Sequence, residues 1–156
     1  MIFVTVGTNE ARFDRLLAAV AQAETAESFV IQHGHSSRIE RPDAELVDFL
    51  SYDRMVETFR AARAVVTHAG VGSVLVALAN GVRPIVVPRL KRFGEAVDDH
   101  QLELGRRFAA AGLVTLVEEP DRLGDALTLE QRGVVMERTA GPLAADVREC
   151  LQALIR

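Results

Sequence analysis

Six short runs, residues 2–6, 29–32, 46–50, 64–67, 83–87 and 113–117, are apolar or β-branched for most of their length. A strand with one face in water alternates apolar and polar residues. A strand that is apolar throughout is buried on both faces, which is the condition of a parallel sheet covered by helices on each side. Helical spacing fills the gaps between the runs. Phe13, Leu16, Leu17 and Val20 make one stripe, and Met55, Val56 and Phe59 make a second behind a cap at Ser51 or Asp53. Residues 71–79 form a third helix that Asn80-Gly81 ends, and a fourth runs from about 99 to 111 until Gly112. The pattern predicts an α/β fold, a Rossmann-like doubly wound parallel sheet in one domain, with a helical tail from about 121. In that tail Val147, Cys150, Leu151 and Leu154 form a stripe that either packs into the core or docks a partner.

Such sheets bind ligands beyond the carboxyl ends of their strands. The chemically unusual residues fall there: Gly7-Thr8-Asn9, residues 33–37, residues 68–73 and residues 89–101. Residues 67–73 read THAGVGS. Gly70 and Gly72 remove side-chain bulk, and a helix starting near Val71 aims free N–H groups and a partial positive charge at the loop, which suits a phosphate. Ser73 adds a hydroxyl donor. The bland alternative is a tight strand-to-helix turn. No Lys follows the last glycine, so this is not a Walker A loop. The first strand also lacks a G-x-G-x-x-G fingerprint, which counts against an unrelated nucleotide enzyme such as an epimerase or reductase. His68 is either a satisfied structural histidine or a donor beside the reacting centre. His33 and His35 flank Gly34 without an evident third ligand, so no metal is expected.

Asp98-Asp99-His100-Gln101 opens a helix and offers donors and acceptors that suit a polyhydroxylated ligand, although one acid is explained by capping alone. Arg89, Lys91 and Arg92 form a basic cluster, either solvated or a site for an anionic group. The net charge of −4 and an aromatic content of 5% argue against a nucleic-acid partner. A single cysteine, Cys150, excludes an internal disulfide framework and fits a reducing compartment. The first residues lack the basic n-region of a signal peptide, and no apolar run approaches the ~20 residues that span a bilayer. The expected location is therefore cytoplasmic.

Several segments together resemble a known family. MIFVTVGT followed by Phe13-Asp14-Arg15-Leu16, then VDFLSYDRM, THAGVGS, RPIVVPRLKRFGE and VDDHQLEL, are similar to the small catalytic subunits of split GT-B glycosyltransferases. These are related to the C-terminal half of MurG in glycosyltransferase family 28, and the nearest type is the exopolysaccharide group of PssE-like and EpsF-like subunits. The resemblance implies the donor-binding half of a GT-B enzyme. The other half would be a membrane-anchored, PssD-like partner that brings a lipid-linked saccharide acceptor and holds this chain at the inner face of the plasma membrane. It implies an inverting, metal-independent transfer of a hexose or hexuronic acid from a UDP-sugar. Gly70, Val71, Gly72 and Ser73 would cradle the diphosphate, with Gly7, Thr8, Asn9 and His68 beside it. Asp99, His100 and Gln101 would contact the donor sugar. Arg89, Lys91 and Arg92 would meet a glucuronate carboxylate or a lipid diphosphate. The family's ribose-binding glutamate is replaced here by Val76, and Glu95 is the expected substitute. The base would come from the partner or from His68. A non-catalytic UDP-sugar-binding subunit is the alternative.

Overall fold

The computed structural model describes residues 1–129, 131 and 132, together with 145 and 149. The sheet has six parallel strands in the order β3-β2-β1-β4-β5-β6. These are β1 (Ile2–Thr5), β2 (Phe29–Gln32), β3 (Ala44–Val47), β4 (Ala64–Thr67), β5 (Ile85–Val86) and β6 (Thr115–Leu116). The helices are α1 (Asp14–Gln22), α2 (Tyr52–Ala61), α3 (Val71–Ala79), α4 (His100–Ala110) and α5 (Leu123–Leu127). β1 lies in the middle, with Ile2 opposite Phe29 on one side and Ala64 on the other.

Burial follows the two-residue period of the strands. Ile2, Val4, Val66 and Ile85 pack with the α1 stripe of Phe13, Leu16, Leu17 and Val20. Phe3 and Val65 face the other way onto Phe59 and Ala77, and Phe3 meets Phe59 edge to face at 5.2 Å. Val86 packs with Val74, Leu78 and Phe108 in a third cluster. Ser51 caps α2 through its hydroxyl, which accepts from Arg54 N.

Two expectations shift. The third strand is Ala44–Val47 rather than 46–50. It has one sheet neighbour, so its residues are half-exposed and Glu45 fits within it, while Phe49 projects into solvent. The tail is not helical throughout. α5 ends at Leu127, after which Arg83 N donates to Gln131 O at 2.8 Å and Arg132 forms an antiparallel bridge with Val82. The stripe at Val147, Cys150, Leu151 and Leu154 lies outside the described residues. No helix among the described residues is long and apolar enough to cross a membrane.

Candidate functional site

From β1 the chain moves outward to β2, and from β4 it moves the opposite way to β5. The loops leaving these two adjacent strands therefore diverge and open a crevice at the switch in strand order. Gly7-Thr8-Asn9 forms one wall and residues 68–73 the other. Gly7 has φ +78°, a conformation that favours glycine, and its N–H donates to Thr5 Oγ1 at 3.2 Å. Thr8 and Asn9 are exposed, and Asn9 Oδ1 turns the loop by accepting from Ala11 N at 2.8 Å.

The two glycines of the second wall do different jobs. A Cβ on Gly70 would sit 2.8 Å from His68 Cδ2 and 3.0 Å from Cε1, with Nε2 closer still. A Cβ on Gly7 would meet His68 Cε1 at 2.5 Å. The imidazole is wedged between Gly7 and Gly70, which ties one wall of the crevice to the other. A Cβ on Gly72 would meet nothing within 4 Å. Gly70 is bare to admit the histidine, whereas the open side of Gly72 faces free space at the start of α3. Val71, Gly72 and Ser73 form the first turn of that helix, which has no side-chain cap bond and no acidic residue. Their N–H groups precede the first α-helical bond, Val74 N to Gly70 O at 3.1 Å, so the turn presents unsatisfied donors and the positive end of the helix dipole.

Burial, and then the nearby Arg89 charge, lower the His68 pKa from 6.5 to about 4. The ring is therefore neutral at physiological pH and weakly basic. Its Nδ1 pairs with Thr67 Oγ1 at 3.3 Å.

The loop after β5 departs most from the sequence reading. Arg89 is not part of a solvated or anion-facing cluster: it is 0% exposed. Its guanidinium donates to Val6 O at 2.8 Å, Ala11 O at 2.7 Å, Glu95 O at 3.3 Å and Arg12 O at 3.5 Å, with the Phe13 ring 4.7 Å away. Lys91 and Arg92 do remain exposed, so the three basic residues do not act as a unit. Glu95 is no free ribose acceptor. It is 3% exposed, accepts from Arg15 Nε at 2.9 Å and from an Arg15 terminal nitrogen at 2.8 Å, and takes Leu90 N at 3.0 Å.

The segment opening α4 stays at the surface. Asp99 stands at the N-cap, but its Oδ1 accepts from Lys91 N at 2.9 Å, and Asp98 Oδ1 takes His100 N at 3.0 Å. Gln101 Oε1 accepts from Arg89 N at 3.1 Å, leaving its amide NH2 for other partners. These bonds lash α4 to the loop after β5. His33 Nε2 pairs with Asp48 at 2.9 Å, while the exposed His35 ring lies against Phe49, so the two histidines serve different neighbours. Val76 packs against the Phe3 and Phe59 cluster. The residue missed from the sequence is Arg15. It bridges Glu95 and Pro88 O and lines a hollow of about 570 Å3 with Glu10, Arg12, Phe93 and Glu95. Its signal is a lone cation beside the apolar stripe of α1.

The family model described as the glycosyltransferase family 28 C-terminal domain matches residues 1–133. UDP-N-acetylglucosamine transferase subunit ALG13 of Homo sapiens is 30% identical over 123 residues, 71% of this chain and 10% of that protein. The UDP-N-acetylglucosamine–N-acetylmuramyl-(pentapeptide) pyrophosphoryl-undecaprenol N-acetylglucosamine transferase of Xylella fastidiosa is 32% identical over 111 residues, 65% of this chain and 29% of that enzyme. The chain thus spans well under half the length of these relatives. Among solved structures, CalG4, the calicheamicin glycosyltransferase, aligns with TM-score 0.58 and 22% identity over 97% of this chain and 37% of its own. The kitacinnamycin glycosyltransferase aligns with TM-score 0.62 and 19% identity over 97% of this chain and 38% of its own. These two likenesses show the fold, which is that of the C-terminal half of a GT-B glycosyltransferase.

Proposed function

The chain belongs to the glycosyltransferase family 28 C-terminal domain family, and from that premise we propose that it is the catalytic, UDP-sugar-binding subunit of a two-component inverting glycosyltransferase. The observation that carries the reading is the crevice at the strand-order switch, where the bare first turn of α3 faces Gly7-Thr8-Asn9 across the wedged His68 ring. A helix N-terminus with no acid in its first turn suits a diphosphate. The relatives support the ligand class. The human protein is named as a subunit of a UDP-N-acetylglucosamine transferase, and the Xylella enzyme as one acting on a pyrophosphoryl-undecaprenol acceptor.

In this reading the main-chain N–H groups of Val71, Gly72 and Ser73 hold the diphosphate, with Thr8 and Asn9 opposite. Asp99, His100 and the free amide of Gln101 face the donor sugar. The acceptor hydroxyl attacks the anomeric carbon in line, the bond to the diphosphate oxygen breaks, and UDP leaves with the electron pair. Fixed dipoles balance that charge, so no metal is required. A membrane-anchored partner brings the polyprenyl-diphosphate-linked saccharide, supplies the base, and holds this cytoplasmic chain at the inner face of the membrane. The pathway would be exopolysaccharide or capsule assembly, with a hexose or hexuronic acid transferred. Calorimetric titration with UDP tests the reading, with and without magnesium and beside NAD. Binding of UDP that ignores magnesium, and no binding of NAD, is expected. Absence of UDP binding even with the partner co-expressed would refute it.

A second reading, a non-catalytic UDP-sugar-binding subunit, is favoured by Val76 in the position of the family's glutamate and by the weak basicity of His68. Transfer assays of the two-protein complex carrying Asp99→Ala or Gln101→Ala separate the two. Lost turnover supports the catalytic reading, and normal turnover supports the second.

A further inference from the structure

We propose that the buried Arg89 and Glu95 and the partly buried Arg15 form a triad of net charge +1 beneath the crevice, and that this fixed cation draws the diphosphate to it. The proposal deepens the reading above and rests on the crevice being a diphosphate site. Every hydrogen bond that the Arg89 guanidinium makes goes to a main-chain oxygen, of Val6, Ala11, Arg12 or Glu95. Its buried Nε has no hydrogen-bond partner among the described residues. The neighbouring carboxylate, Glu95, gives both oxygens to Arg15, so it favours the Arg89 charge through space without a direct contact.

Tying carbonyl groups together requires donors, not a charge. A neutral amide would do so with a far smaller desolvation penalty, whereas a buried cation lacking a contact anion is costly. Its position gives the charge a use. Val6 O, 2.8 Å from the guanidinium, belongs to the peptide leading into Gly7, against which the His68 ring is wedged. The main-chain N–H of Arg89 donates to Gln101 Oε1 on the far side. The charge therefore lies beneath the Gly7 wall of the crevice, and its field reaches His68, whose protonation it opposes after burial. The α3 N-terminus adds to the same field. Glu10, Asp98 and Asp99 are exposed at the rim, where solvent screens them.

The test is titration with inorganic pyrophosphate, UDP and uridine at low salt. The proteins are the wild-type chain, Glu95→Gln and Arg15→Met, each checked for folding by circular dichroism. Glu95→Gln raises the triad charge by one and should tighten pyrophosphate and UDP binding. Arg15→Met lowers it by one and should weaken both. Each change should be about tenfold, the scale of a unit charge acting over about 10 Å at an effective dielectric near 20. Uridine, which is uncharged, should bind all three proteins alike. A merely structural triad would weaken every ligand in both variants. The two shifts have opposite signs, so either folded variant decides the matter. Equal losses in both variants, or no binding of pyrophosphate to the wild-type chain, would overturn the proposal. Pyrophosphate binding with the expected signs, but no added affinity for UDP, would keep the triad and sink the nucleotide-sugar reading instead.

Discussion

Gly70→Ala and Gly72→Ala should part company sharply, although the two glycines lie two residues apart in one loop. Gly70 has φ −79°, which alanine adopts without strain, so the backbone raises no objection. The objection is the His68 ring, whose Cδ2 and Cε1 lie 2.8 and 3.0 Å from the new methyl. The ring has little room to retreat, because it also lies against Gly7, so closely that a Cβ there would stand 2.5 Å from its Cε1. Overpacking of this kind costs about 1–3 kcal/mol. Reduced freedom of the unfolded chain offsets only about 0.4–1 kcal/mol of that. At Gly72 nothing lies within 4 Å, and the residue is already helical, so alanine should stabilise by up to about 1 kcal/mol. The two variants should differ by about 2–3 kcal/mol in urea or thermal unfolding followed by circular dichroism, or by several degrees in Tm. In a His68→Ala background the penalty at Gly70 should vanish, giving a coupling energy equal to the overpacking cost, about 1–3 kcal/mol. If Gly70→Ala were as benign as Gly72→Ala, or if its penalty survived the loss of His68, the wedge would not be what fixes this wall.

Three further outcomes are expected. Gly72→Ala should fold at least as well as the parent yet bind UDP more weakly, because the methyl stands where a phosphate approaches the main chain; unchanged affinity would move the ligand elsewhere. Acid should destabilise the chain through His68. The unfolded ring takes up a proton near pH 6.5 and the folded ring only at about 4, so stability is intact above 6.5 and falls steadily until about 4. The whole loss is about 3 kcal/mol, and His68→Gln should flatten that part of a pH series of unfolding curves. Ser51→Ala should lower stability by about 0.5–1 kcal/mol, the low end for a helix cap, because the Arg54 N to Ser51 Oγ bond is a long 3.4 Å; a larger loss in urea unfolding would point to a further role for the hydroxyl.

The elements that are read well from the sequence are those whose stability is local or symmetric. β1 and β4 are apolar on both faces and fall where their runs predict, and α3 starts and stops where Gly70 and Asn80 punctuate it. β3 escapes because an edge strand is half-exposed and its register is set by β2, which no local pattern reveals. The tail is misread because Arg132 pairs with Val82, distant in sequence. The site divides the same way. The helix N-terminus behind THAGVGS is legible, since its chemistry belongs to one short segment. Arg89 and Glu95 read as surface charges because the groups that enclose them, Val6, Ala11, Phe13 and Arg15, come from the other end of the chain. The same separation hides the reason for Gly70, which is a ring two residues away held in place by Gly7.

The central place of β1 also sets an order of assembly. This strand has one neighbour close by in the chain, β2, but its other edge waits for β4, with Ile2 finally opposite Ala64. Until then the wholly buried row Ile2–Thr5 carries an open, apolar edge, which is a template for pairing with another nascent chain. Closing it requires a long loop, so the step is slow as well as late. A product of interrupted translation that ends within α2 would keep β1, β2 and β3 while lacking the strand that seals them, and it should aggregate where the full chain does not.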